Sequence, residues 1–269
     1  MPVSERIHRP QDDEDLLHAA VREAGALAAN YFNGSTQSWT KDDGTPVSDA
    51  DLAVDELLKS RLQPARPDYG WLSEETEDND DRLGNSRVWV IDPIDGTRSF
   101  LEGGEHWCLS AALIEGGRPV IGAVYLPLSD KMYAARAGEG ASMNDRPLTT
   151  SARGELAGSK VIAHKNILQP HRWRTPWPDV DVGMTTSLAL RLCLVADGSF
   201  DAALAVGSKC DWDLAAGDLI VHEAGGRVCD LEGATLRYNK PATRQAGLVA
   251  SGANLHDEII RFSSGYKPN

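Results

Sequence analysis

The 269 residues read as a layered α/β (α+β) chain, and three features carry that reading. Helical periodicity opens the sequence and returns in its second half. An antiparallel meander fills the middle, and helices mixed with antiparallel strands in this way argue against a Rossmann domain. The length suits one large domain or two modest ones with a substantial core.

Leu17, Val21, Ala24, Ala28 and Tyr31 recur at helical spacing, giving an amphipathic helix over residues 13–32 that Asn33-Gly34-Ser35 stops. Residues 39–47 are polar and turn-rich, and Asp43-Gly44 suits a hairpin. Ser48-Asp49-Ala50-Asp51 is a Ser-x-x-acid start for a second helix reaching about Leu62. Its Val54, Leu57, Leu58 and Leu62 form a core stripe, with Asp51 and Asp55 on another face. Residues 88–91 form an apolar strand, and Pro93 is expected to end it. Residues 109–114, 120–125 and 132–135 make the meander, while the small and polar residues 138–153 suit a domain junction. Beyond it come strands at 161–163 and 180–182, a helix at 188–196 and a strand at 202–206. A last helix over 212–224 stops at Gly225-Gly226, and residues 227–230 resume a strand.

Composition excludes several classes. Hydrophobic content of 41% and charged content of 25% are ordinary for a globular chain. A net charge of −13 disfavours a nucleic-acid polymer or an anionic membrane as partner. Residues 1–15 lack the apolar core of a secretion signal, and no apolar run approaches membrane-spanning length. Cys108, Cys193, Cys210 and Cys229 form no CxxC pair, which suits reduced thiols in a cytoplasmic protein.

Val90-Ile91-Asp92-Pro93-Ile94-Asp95-Gly96-Thr97 holds the chemistry. A buried strand delivering two carboxylates needs a neutralising partner, and a divalent cation is one. The Ile94 carbonyl is a further oxygen ligand, and Gly96 allows close backbone approach to an anion. An Asx-type turn with a capping Asp accounts for the same letters. Taken singly, Asp213 also reads as a helix cap and Glu74-Glu75 as a solvated turn. Taken together, Asp51, Glu74, Asp92, Asp95 and Asp213 form an all-oxygen set at element ends, which suits Mg2+ or Mn2+ over zinc. No P-loop, HExxH or GxSxG motif competes.

Asp92-Pro93-Ile94-Asp95-Gly96-Thr97 and Trp212-Asp213-Leu214-Ala215-Ala216-Gly217 resemble the two signatures of the inositol monophosphatase superfamily of Mg2+-dependent, lithium-sensitive phosphatases. Lys41, residues 46–51, Ser73-Glu74-Glu75 and residues 223–226 extend the resemblance, which runs from about Leu16 to Ser251. It implies an αβαβα sandwich. Residues 1–150 would form an α+β part with an antiparallel sheet and most ligands. Residues 151–269 would form an α/β part completing the cleft. It further implies two or three ions. Glu74, Asp92, the Ile94 carbonyl and Asp95 would hold one, Asp92, Asp95 and Asp213 a second, and Asp51 with Glu74 a weaker third. Thr97 and Glu74 would orient the attacking water, and the backbone near Gly96 and Thr97 would hold phosphate oxygens. Homodimers are common in such proteins, though no interface is legible here.

Three features lean toward the CysQ-type 3'(2'),5'-bisphosphate nucleotidases. Residues 41–47, 72–75 and 95–100 look closer to that branch. The Glu that binds inositol hydroxyls in inositol phosphatases is missing from residues 203–207. Arg191 stands where CysQ-type relatives place a Lys, suiting a second phosphate, and Asp213 would meet the leaving group. Thr186 departs from both branches, where a Gly is usual. The expected reaction is removal of the 3'-phosphate of adenosine 3',5'-bisphosphate. Inositol-1-monophosphatase or another sugar-phosphate phosphatase is the alternative, and a regulatory binding protein of the same fold is a lesser one.

Overall fold

A computed structural model describes residues 10–267 apart from residues 35, 43 and 165. Its first half comprises α1 (Pro10–Phe32), β1 (Ser38–Thr40), β2 (Pro46–Ser48), α2 (Asp49–Ala65), β3 (Gly70–Ser73), β4 (Arg87–Asp95), α3 (Thr97–Leu101), β5 (Cys108–Glu115), β6 (Arg118–Leu126), β7 (Lys131–Arg136), β8 (Gly140–Met143) and β9 (Arg146–Pro147). The remainder comprises β10 (Lys160–Ala163), β11 (Asp181–Gly183), α4 (Leu188–Ala196), β12 (Ala202–Cys210), α5 (Asp211–Glu223), β13 (Gly226–Cys229), β14 (Arg244–Gly252) and α6 (Ala253–Ser263).

Strands β3 to β9 form a seven-stranded sheet in chain order, antiparallel except for the parallel β3–β4 pair. A second sheet has the order β11-β10-β12-β14-β13 and mixes parallel with antiparallel pairs. Alternate residues of each buried strand serve different cores, as the two-residue strand period requires. On β4, Trp89 and Ile91 pack with α1 and α2, whereas Val88 and Val90 pack with α4 and α5. On β12, Ala203 and Ala205 join the α4–α5 core, whereas Ala202 and Leu204 face the α6 side. The result is five layers: α1 and α2, the first sheet, α4 and α5, the second sheet, then α6. Because the middle helices are sandwiched between two sheets, α5 is buried along nearly its whole length.

Backbone packs closely against backbone where α5 crosses β6. A Cβ added at Gly122 would lie 3.0 Å from the Ala216 carbonyl oxygen and 3.2 Å from its Cα. Backbone cannot yield there as a side-chain tip can. Gly122→Ala is therefore expected to cost about 1–3 kcal/mol by overpacking, read from the midpoint of chemical denaturation at unchanged slope.

The structure amends several expectations. The chain does not leave β4 at Pro93; the strand continues to Asp95 through a change of register. Residues 140–147 are the last strands of the first sheet, so the 138–153 segment is only partly a connector. The first helix starts at Pro10, and the expected 180–182 strand is displaced by one residue to β11. Strand β14 and helix α6 were not anticipated. β14 is rich in small residues and buried on both faces, so it shows no alternation. The hairpin forms between β1 and β2, with Gly44 at φ 84°, while Asp43, Ser35 and the leading residues 1–9 lie outside the described residues. All four cysteines are free. Among the described residues no helix is long and apolar enough to cross a membrane.

Candidate active site

Asp92 and Asp95 are three apart, so a regular strand would send them to opposite faces. The register shift in β4 prevents this. Asp92 pairs with Ser110 and Asp95 with Cys108, two residues apart on β5, so β4 carries one extra residue there. Pro93, with no N–H to give the ladder, occupies that bulge. Both carboxylates consequently share the face of Cys108, which packs toward α4 and α5, while Ile94 turns to the opposite core. Gly96 follows with φ 101°; a Cβ there would also meet the His106 carbonyl at 2.8 Å.

Other elements bring the remaining acids to the same place. Glu74 follows β3, its N–H donating to the Ile91 carbonyl at 3.2 Å. Buried Asp55 on α2 pins that turn by accepting the Ser73 and Thr76 hydroxyls. Lys41 donates to Glu75 at 2.7 Å and to Glu74 at 3.3 Å. Asp213 sits in the first turn of α5, where its Oδ2 accepts the Cys210 N–H at 2.8 Å. Asp51 is committed elsewhere. Its Oδ2 accepts both the N–H and the hydroxyl of Ser48, and its Oδ1 lies 3.1 Å from Thr97 Oγ1. The Thr97 hydroxyl also lies 3.0 Å from the Ile94 carbonyl, and its one proton serves either acceptor.

These groups surround one cavity of about 700 Å³. Glu74, Asp92, Ile94, Asp95, Gly96, Thr97, Arg191 and Asp213 all line it. Asp51 does not line it and reaches it only through Thr97. Arg191 is less free than its position in the sequence suggests, because Nε and one terminal nitrogen both donate to the Thr185 carbonyl, at 2.9 and 2.6 Å. It therefore braces the turn before α4 as well as facing the cavity. Arg98, Arg172, Lys209 and His164 line the cavity too and went unnoticed in the sequence. Lys209 had a signal, standing one residue before the Cys210–Asp213 motif. Arg172 lies in an irregular stretch and had none.

Burial dominates the electrostatics. It raises Asp92 well above the usual carboxylate range, with Glu74, Asp95, Asp213 and Asp51 adding repulsion. Burial likewise raises Asp95 and Asp51, though their hydrogen-bond donors work against it. It raises Glu74 against the opposing effect of Lys41. Burial pushes Asp213 up to about 7, helped by Asp95, and Glu75 also to about 7. On the cationic side, burial lowers Arg191 and Lys209.

One atom bears on what such a site could hold. Asp92 Oδ1 is buried with no hydrogen-bond partner. An ionised carboxylate oxygen so placed costs several kcal/mol unless a cation or a proton meets it. The donor set is all oxygen, as a hard divalent cation requires. Among the described residues no three His, Cys, Asp or Glu side chains already close on one point. Like charges on separate elements resist such closure until a cation draws them together. The residues present fit the cation.

Comparison with known proteins shows the family. The model of the inositol monophosphatase family matches residues 11–266. The chain belongs to the inositol monophosphatase family. It is similar to Nus factor SuhB of Xylella fastidiosa, 35% identical over 94% of this chain and 95% of that one. It is also similar to histidinol-phosphatase of Mycobacterium tuberculosis, 35% identical over 84% and 88%. The crystal structure of extragenic suppressor protein suhB from Bartonella henselae superposes with a TM-score of 0.80 at 29% identity, covering 92% and 96%. None of the three is described as a bisphosphate nucleotidase, so family membership stands and the CysQ-type branch does not follow from it.

Proposed function

We propose that this cleft hydrolyses a phosphate monoester with the help of bound Mg2+ or Mn2+. The unpartnered, buried Asp92 Oδ1 supports this reading most directly. Asp92, Asp95, Asp213, Glu74 and the Ile94 carbonyl would hold the ions. Bound there, a divalent cation supplies charge neutralisation and acidifies water. The chain's own groups do the rest. The Thr97 hydroxyl gives its proton to Asp51 or the Ile94 carbonyl, which leaves its lone pairs to accept a hydrogen bond from the attacking water. Glu74 accepts the second hydrogen bond, and its turn is fixed by Asp55 and Lys41. First-turn N–H groups of α3 have no intrahelical acceptor and suit a phosphate oxygen. As the water oxygen bonds to phosphorus, the ester P–O bond breaks; the water gives one proton to Glu74, and the leaving alkoxide takes one from solvent, so alcohol and hydrogen phosphate are released.

The leaving group best suited to the cleft carries a second anion, as adenosine 3',5'-bisphosphate does. Arg172, Arg191 and Lys209 line the cavity, and none has a carboxylate within ion-pair distance among the described residues. Ala205 and Val206 supply an apolar wall where a polyol needs an acidic acceptor. The ammonium of histidinol phosphate would meet these cations at a cost. Phosphate release in Mg2+ from adenosine 3',5'-bisphosphate, inositol 1-phosphate and histidinol phosphate at equal concentration tests this. A preference for the bisphosphate supports the reading, and a preference for either other ester overturns the substrate class while leaving the hydrolase. Lys209→Met should raise KM for the bisphosphate about 10-fold, the worth of one charge-assisted hydrogen bond. KM for inositol 1-phosphate should stay within about 2-fold, because that ester offers no second anion.

A further inference from the structure

Ser187 has a position that the reaction above does not use. It is fully buried and precedes α4, in the second half of the chain, yet its hydroxyl oxygen lies 2.7 Å from Asp95 Oδ2 on β4. The same Asp95 oxygen accepts the Ala189 N–H at 2.6 Å. Around the Ser187 hydroxyl, the Leu190 N–H donates at 3.0 Å and the Cys108 thiol lies at 3.3 Å. An ionised carboxylate only accepts, so the single hydroxyl proton goes to Asp95. The Leu190 N–H and the thiol then fill the two lone pairs. Every bonding site on this hydroxyl is thereby assigned, and the arrangement has one orientation. The two elements approach closely at Gly96, where a Cβ would lie 3.3 Å from Ser187 Cβ.

The Ser187 hydroxyl and the Ala189 N–H both act on Oδ2 of Asp95, the Leu188 N–H adds to the hold on this carboxylate, and Asp95 lines the cavity. We infer that Ser187 is a positioning residue for divalent-cation binding, fixing the Asp95 carboxylate from the N-terminus of α4 at the cavity wall. This role depends on the cleft holding a cation, as proposed above. It also makes the ligand set of β4 dependent on a helix from the other half of the chain.

Ser187→Ala removes the proton donor and the helix cap together, whereas Ser187→Thr keeps the hydroxyl. Binding of Mn2+ to the purified, chelator-stripped chain is measured by calorimetry, together with the thermal midpoint with and without Mg2+. Ser187→Ala should weaken Mn2+ binding by about 10- to 100-fold, the usual effect of losing a group that orients a ligand. The Mg2+-induced rise in midpoint should shrink accordingly. Ser187→Thr should bind within about 3-fold of the parent chain, because it keeps the hydroxyl that donates to Asp95. Loss of the cap alone would lower both midpoints equally and leave the Mg2+-induced rise unchanged; that result overturns the positioning role. Failure of the parent chain itself to bind Mn2+ would overturn the cation reading instead.

Discussion

Asp92→Asn is expected to lower phosphate release by about 10³-fold or more while the metal-free protein folds at least as stably as the parent chain. The two effects have one origin. Asp92 is buried, its Oδ1 has no partner, and four other carboxylates raise its proton affinity. Replacing it with a neutral amide removes that repulsion and adds a donor that neighbouring carboxylates can accept. The same change deletes a cation ligand, and several kcal/mol of transition-state stabilisation correspond to at least that fall in rate. Circular dichroism with thermal melting in chelator checks the fold, and a phosphate assay in Mg2+ checks activity. A destabilised variant would mean that Asp92 is a structural cap. An active, well-folded one would move the chemistry elsewhere and favour a binding role for the chain.

Stability should depend on pH in opposite directions with and without Mg2+. In the metal-free protein, burial raises Asp92, Asp95 and Glu74, and Asp213 reaches about 7. Unfolded carboxyls titrate near about 4. Across that window the folded chain binds more protons than the unfolded one, so stability falls as pH rises. The contribution is fully present below about pH 4 and is lost as pH passes through the folded values, about 7 for Asp213. Mg2+ binds only the deprotonated ligands and holds their folded proton affinity low. The sign then reverses, and Mg2+-dependent stabilisation grows from pH 5 to pH 8. Thermal midpoints in EDTA and in Mg2+ over this range should diverge; parallel curves would show that the cation does not engage these acids.

Much of this was legible in the sequence, for identifiable reasons. Helices α1 and α2 carry one-sided apolar spacing, α4 is apolar nearly throughout, α5 ends in a Gly-Gly stop, and the β5–β7 meander has turn residues between apolar runs. Glu74, Asp92, Asp95 and Asp213 announced themselves as acids at element ends, and the structure brings them to one cavity. What stayed hidden depends on register and on contacts between distant segments. Nothing in the letters of residues 92–95 says that a bulge returns both aspartates to one face. Strand β14, buried on both sides and built from small residues, has no period to detect. Arg172 enters the cavity from an irregular segment, and Ser187 meets Asp95 across 92 residues of chain. Asp51 is expected as a ligand of a weaker third ion, and only the packed α2–α3 junction reveals that its oxygens also meet Ser48 and Thr97.

The most direct test is the initial rate of phosphate release from adenosine 3',5'-bisphosphate as free Mg2+ is titrated into chelator-stripped protein. A metal-dependent phosphatase gives no release without Mg2+, a saturable rise as Mg2+ is added, and loss of activity on adding excess EDTA. Release that ignores both Mg2+ and EDTA would contradict the central claim, as would no release from this ester, inositol 1-phosphate or histidinol phosphate at saturating Mg2+.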